Sequence, residues 1–253
     1  MGGAQRNERR RRQGAAASVP NVRRIPGSGK DNRTKVGVIV AVVIVAVFAV
    51  VYVVLNRPWS TSQPVAATSY PVTADGVVVT AGQPTAPATI DVYEDYLCPF
   101  CERFEARSDA DLTTALNEGK VKVNYHALNI LDARTAPPGY STLAANAALC
   151  AVPAGIWPAF HARLFADQPA EGSAGLTAAQ LTDIGTQLGA GPSFGACVAG
   201  NGNASTITAA TEAASTNPAL QTDGQFGTPT VAVGGRKIDV SGSDWLSKAL
   251  AGG

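Results

Sequence analysis

Hydrophobic and polar positions divide the chain into stretches of different character. Residues 1–35 show almost no apolar periodicity and are rich in Arg, Gly and Ala, which predicts a disordered segment. Val36 to Leu55 is an uncharged run of Val, Ile and Ala. At about 1.5 Å rise per residue, a helix of that length crosses a hydrocarbon core of roughly 30 Å. Farther on, alternation sets in. Gly76–Thr80 and Thr89–Tyr93 read as strands, and a helix is expected from Cys101 toward Leu116, broken near Ser108–Asp109. Lys120–His126 alternates as a further strand. From about Ala133 to Leu220 the chain is Ala-rich with helical spacing, and Thr142–Val152, Trp157–Asp167, Thr177–Leu188 and Thr206–Ala214 are helix candidates. Thr228–Val233 and Lys237–Val240 flank Gly234-Gly235 as a hairpin, and Ser243–Ala251 closes the chain as a helix.

This order, β-β-α-β, a helical block, then β-β-α, predicts an α/β domain with a mixed sheet. A strand, a crossover helix and a second strand imply a parallel pair, and the terminal hairpin adds an antiparallel edge. The expected organisation is a cytoplasmic tail (1–35), a transmembrane helix (36–55), a linker (56–75), and a core in two parts (76–132 and 221–253). The inserted all-helical subdomain (133–220) separates those parts. Tyr52 and Trp59 sit near the outer end of the apolar run, where amphipathic aromatics favour the membrane interface. The run is too long for the h-region of a cleaved signal peptide, so a retained anchor is expected. Gly27-Ser28-Gly29-Lys30 lacks the first glycine and the final Ser or Thr of a phosphate loop.

Charge sharpens the topology. Ten basic and two acidic residues precede Val36, giving +8, whereas ten basic and seventeen acidic residues from Val36 onward give −7. Basic flanks stay cytoplasmic, which puts the acidic domain outside, with a single pass through the membrane. The arginine run is thereby explained by topology, and no nucleic-acid partner is expected. No segment suggests dimerisation, so a monomer is expected.

The chemistry lies in four cysteines: Cys98, Cys101, Cys150 and Cys197. Cys98-Pro99-Phe100-Cys101 falls where a strand meets a helix. The first helical turn offers unpaired amides and the positive end of the dipole, which favour a thiolate at Cys98. Pro99 suits that turn because it has no donor to leave unpaired. Cys101, three residues on, lies within disulfide reach. Cys98 is expected as the exposed nucleophile and Cys101 as the shielded resolving thiol. A zinc site would need a second ligand pair, and His126 and His161 lack ligand spacing. A copper(I) carrier would want a further soft ligand, and Met1 is the lone methionine. No cofactor or metal is expected. Cys150 and Cys197, 47 positions apart, are expected to form a structural disulfide worth about 3–4 kcal/mol by loop entropy, the alternative being two free buried thiols.

Asp95-Tyr96-Leu97-Cys98-Pro99-Phe100-Cys101, taken with Phe226-Gly227-Thr228-Pro229-Thr230, resembles the DsbA-like branch of the thioredoxin superfamily over about Gly76 to Gly253. The resemblance implies a thioredoxin-like mixed sheet with an inserted helical subdomain, and a cis Thr228–Pro229 bond in a loop facing Cys98. It also implies a protein thiol–disulfide oxidoreductase acting on exported cysteine-containing proteins. Such an enzyme is reoxidised by a membrane partner of the DsbB or vitamin K epoxide reductase-like type, and anchored forms are similar to arrangements in actinobacteria. Two positions depart from the family pattern. The acidic residue six places before the first cysteine, which helps proton transfer to the buried thiol, is replaced by Val92, and Asp91 and Glu94 are expected on the opposite face from Val92. Phe100 stands where strongly oxidising members carry histidine. The expectation is an oxidase that donates the Cys98–Cys101 disulfide to exported proteins; the alternative is a disulfide reductase or isomerase, and behind it a copper(I) carrier or a substrate-binding chaperone.

Overall fold

A computed structural model describes residues 68–251. The basic tail, the apolar run Val36–Leu55 and most of the expected linker lie outside the described residues. No helix among those described is long and apolar enough to cross a membrane.

Six strands form one mixed sheet in the order β1-β2-β4-β3-β5-β6. They are β1 (Val72–Asp75), β2 (Val78–Ala81), β3 (Ala88–Glu94), β4 (Val121–Ala127), β5 (Thr230–Val233) and β6 (Arg236–Lys237). The seven-residue strands β3 and β4 pair in parallel, Ala88 opposite Val121 and Glu94 opposite Ala127, joined by α1 (Pro99–Asn117). β5 pairs antiparallel with the other edge of β3, and β6 forms the outer strand of the terminal hairpin. The strictly alternating burial of β3 and β4 shows why they are central: one face is sealed by helices while the other is half covered.

The segment between Asn56 and Asp75 does not read as a strand, yet Val72–Asp75 pairs with β2. Its side chains are mostly exposed, so no hydrophobic alternation marks it. The turn shows better, because Gly76 adopts φ +57°, where a side chain would be strained.

α1 runs unbroken through Ser108–Asp109, against expectation. The reason is its buried stripe: Cys101, Phe104, Glu105, Ser108, Leu112, Ala115 and Leu116 recur at helical spacing, and Ser108 belongs to that stripe. Five helices follow β4: α2 (Tyr140–Ala151), α3 (Trp157–Ala166), α4 (Ala178–Gln187), α5 (Pro192–Gly200) and α6 (Ala204–Thr216). α5 was hidden among glycines. Gly185 of α4 allows it to dock, because a Cβ there would lie 2.1 Å from the Phe194 ring. α7 (Trp245–Ala251) returns to the sheet, with Trp245 against Phe104. One continuous core joins the sheet, α1, α7 and the helical insertion. A smaller cluster of Leu128, Ala214, Leu220 and Ala232 is separate from it.

Cys150 on α2 and Cys197 on α5 are bridged, with Cα atoms 5.9 Å apart. Asn146 reinforces the junction by donating to the Cys197 carbonyl at 3.4 Å.

Candidate active site

β3 ends at Glu94, and four residues later Cys98 caps α1 with extended backbone while Pro99 occupies the first helical position. The intervening corner is held by Asp95, which is fully buried. Its carboxylate accepts from the Leu97 amide at 2.9 Å, the Ser141 hydroxyl at 2.7 Å and the Leu131 amide at 2.9 Å. Burial raises Asp95 to about 6 even against those three donors. Gln168 braces the same corner, donating to the Tyr96 and Cys98 carbonyls at 3.1 and 3.2 Å.

Cys98 and Cys101 are both unbridged thiols here. Cys98 is not the openly exposed side chain expected, since only 4% of its surface meets solvent. The Thr228–Pro229 loop covers it, and the Cys98 thiol donates to the Thr228 carbonyl at 3.3 Å. The Thr228–Pro229 peptide bond is cis, as is Ala136–Pro137. Phe100 is the group that does stand out, 64% exposed, with the Arg103 guanidinium 4.5 Å from its ring centre.

The two thiols differ sharply in acidity. A hydrogen bond from the Cys101 thiol lowers Cys98 to about 6, against the pull of burial, with help from Thr228 and the amides of Cys101 and Phe100. Cys101, fully buried, is pushed well above the ordinary thiol range, first by burial and then by its bonding and proximity to Cys98. At neutral pH the reduced pair is therefore one thiolate and one thiol. That asymmetry is what disulfide exchange needs: a stable leaving group on one side and a protonated partner on the other.

Behind Cys101 lies a feature that spacing alone did not reveal. Glu94 does not face away from Val92. Residues two apart share a strand face, and both are fully buried. Asp91 does lie on the other face, where its carboxylate is 3.0 Å from His126. His161, brought in from α3, stands between two carboxylates: Nδ1 is 3.4 Å from Glu94, and Nε2 is 3.4 Å from Glu105. The Tyr96 hydroxyl lies 2.9 Å from Nδ1, and Trp157 stacks on the ring at 4.6 Å. Burial pushes Glu94 up, and for His161 the two carboxylates outweigh burial and raise it. Glu94, Glu105 and His161 offer ligand atoms within 4.8 Å of one another. The carboxylates, however, face opposite ring nitrogens, which suits an imidazolium between two acids better than one ion's ligand shell. A lone histidine in an Ala-rich helix carried no signal of this; an acidic residue ending a buried strand did.

The parallel β3-α1-β4 unit, the antiparallel hairpin, the Cys-x-x-Cys at the head of α1 and the facing Thr-Pro loop define a thioredoxin-fold dithiol site. The family model described as Thioredoxin matches residues 74–251, and the chain belongs to that family. Within it the chain is DsbA-like and is a thiol–disulfide oxidoreductase by the company of its site and fold. The MdbA thiol–disulfide oxidoreductase of Corynebacterium matruchotii is 26% identical with a TM-score of 0.63, covering 73% of this chain and 93% of that one. Reduced DsbA of Mycobacterium tuberculosis is 26% identical with a TM-score of 0.59, covering 71% and 92%. DsbG from the same species is 28% identical with a TM-score of 0.58, covering 70% and 86%. Among curated sequences, the serine/threonine-protein kinase PknE of Mycobacterium tuberculosis is 31% identical over 216 residues, 78% of this chain. The chain spans about a third of that kinase's length, as the match covers 37% of it.

Proposed function

We propose that this protein is a disulfide donor, anchored by residues 36–55 with its catalytic domain outside the cytoplasm, and that it oxidises exported cysteine-containing proteins. The observation that carries the direction is the lowered pKa of Cys98, about 6, beside a protonated Cys101. A stabilised Cys98 thiolate favours the reduced enzyme, so the oxidised enzyme gives its disulfide away readily. At about 6, Cys98 is more acidic than the thiol of thioredoxin, about 7, though less so than that of DsbA, about 3.5.

In the proposed cycle a substrate thiolate attacks Cys98 of the Cys98–Cys101 disulfide, forming a mixed disulfide and expelling Cys101 as a thiolate. Cys101 then takes a proton. Glu94 is the group placed to supply it, close enough for its charge to raise Cys101 further. The substrate's second thiol loses its proton and attacks the mixed disulfide, leaving as substrate disulfide while Cys98 departs as the thiolate. Two electrons have passed from substrate to enzyme, and a membrane partner of the DsbB or vitamin K epoxide reductase-like type removes them. The Thr228 backbone beside Cys98 offers the substrate strand its hydrogen-bonding edge. The Cys150–Cys197 bridge takes no part, since it lies in the helical insertion.

The test is oxidation of a reduced dithiol protein by the full chain. Cys98→Ser abolishes it, and so does Cys101→Ser, which has no disulfide to donate, while the Cys98 thiolate of Cys101→Ser accumulates a mixed disulfide when mixed with a disulfide-bonded substrate; equal oxidation by Cys98→Ser overturns the proposal. Reduction of disulfide substrates in preference to oxidation of dithiols would make the protein a reductase or isomerase instead.

A further inference from the structure

A groove of about 930 Å³ runs between the first turns of α1 and the segment from Ala219 to Ser241; it meets the dithiol site at Phe100 of the Cys-x-x-Cys motif and Pro229 of the Thr228–Pro229 loop, both among its lining residues. Its apolar floor includes Phe104 and Val231, and its other walls carry charge. Arg103, Arg107, Arg236 and Lys237 all line it, against the single carboxylate of Asp239. This concentration runs opposite to the rest of the domain. Residues 68–251 hold nine basic and seventeen acidic side chains. Four of the nine meet at this groove, and one of the seventeen. None of the four is in an ion pair with a carboxylate among the described residues. Arg107 is oriented by a bond to the Val240 carbonyl at 3.1 Å, and Arg103 by one to the Pro99 carbonyl at 3.1 Å. Both bonds fix the guanidinium while leaving other N–H groups available. Arg236 and Lys237 are the two residues of β6, whose outer edge is unpaired among the described strands.

We propose that this groove selects substrates: it seats the polypeptide segment flanking a substrate cysteine and prefers segments that carry Asp or Glu. The inference rests on Cys98 being the group that meets substrate. The volume is that of a site holding a few residues, and Phe100 with the floor supplies apolar contact. The four cations supply the selection, because like-signed segments are repelled and acidic ones are steered in. An acidic domain would otherwise repel acidic substrates; the groove reverses that field at the place where exchange happens.

The experiment uses the full chain in neutral detergent and three fluorescent peptides. They share one sequence with Ser at the cysteine position and differ only in carrying Glu, Gln or Lys on either side of it. Anisotropy at low salt is expected to show the Glu peptide binding about tenfold or more tighter than the Gln peptide, with the Lys peptide weakest. The advantage shrinks as salt is raised. Arg236→Gln with Lys237→Gln, two surface changes whose thermal melting serves as the folding control, lowers the Glu-over-Gln ratio by about threefold or more. Equal binding of the Glu and Gln peptides, no binding of any peptide, or a ratio unchanged in the variant overturns the proposal. Because these peptides have no thiol, the result is separate from the redox reading. A protein that oxidises dithiols without preferring Glu keeps its activity and loses this selectivity. One that prefers Glu but exchanges no disulfide keeps the selectivity and loses the proposed activity.

Discussion

At the scale of single residues, the site works by making two neighbouring thiols unlike. Cys98 gathers donors from the Cys101 thiol, the Thr228 side chain and the opening amides of α1, while for Cys101 burial outweighs the one backbone bond, at Asp95, that works the other way. Alkylation of the reduced protein should therefore rise with pH through about 6, level off above it, and label Cys98 alone, as mass spectrometry can read. A midpoint in the range of a free thiol, about 8.5, contradicts this. The buried Glu94 gives a second prediction. Removing its titratable proton in Glu94→Gln should leave Cys98 alkylation in place, and should slow the exchange step that protonates or deprotonates Cys101 by about a hundredfold, the lower end for general acid–base catalysis. The pH profile of that step should also lose its inflection. An unchanged profile would make Glu94 a packing residue only. The cysteine pair was legible from the sequence because the chemistry needs both residues adjacent. The Glu94–His161–Glu105 cluster was not, because three elements contribute one residue each.

At the scale of elements, strands and helices with a strong periodic signal were readable, and those whose stability comes from neighbours were not. β3 and β4 alternate cleanly and sit at the centre of the sheet. β1 is exposed and exists by pairing with β2, and α5 begins at Gly191-Pro192 and carries Gly195, residues that weaken a helical signal. α5 is tied in by Cys197. Loss of the bridge in Cys150→Ser with Cys197→Ser should cost about 4 kcal/mol, the loop-entropy value for a separation of 47 residues. Denaturant unfolding measures it. The dithiol site should keep its Cys98 acidity in that variant, since the groups that set it come from α1 and the Thr228 loop. A stability change under about 1 kcal/mol would mean that α2 and α5 hold together by packing alone.

At the scale of the whole molecule, the dithiol site belongs to a domain proposed to lie outside the membrane. Fold class followed from element order, and the parallel β3–β4 pair with its antiparallel hairpin has the arrangement the order implies. Direction of electron flow could not follow from the motif, because Cys-Pro-Phe-Cys carries no charge of its own; it depends on how α1 and the Thr228 loop solvate one sulfur. The measurement that bears most directly on the central claim is the reduction potential of the Cys98–Cys101 pair in the full chain, equilibrated against glutathione. The account predicts a value less negative than about −230 mV, on the oxidising side of thioredoxin at about −270 mV. A value more negative than about −230 mV would contradict the disulfide donor and make the protein a reductant.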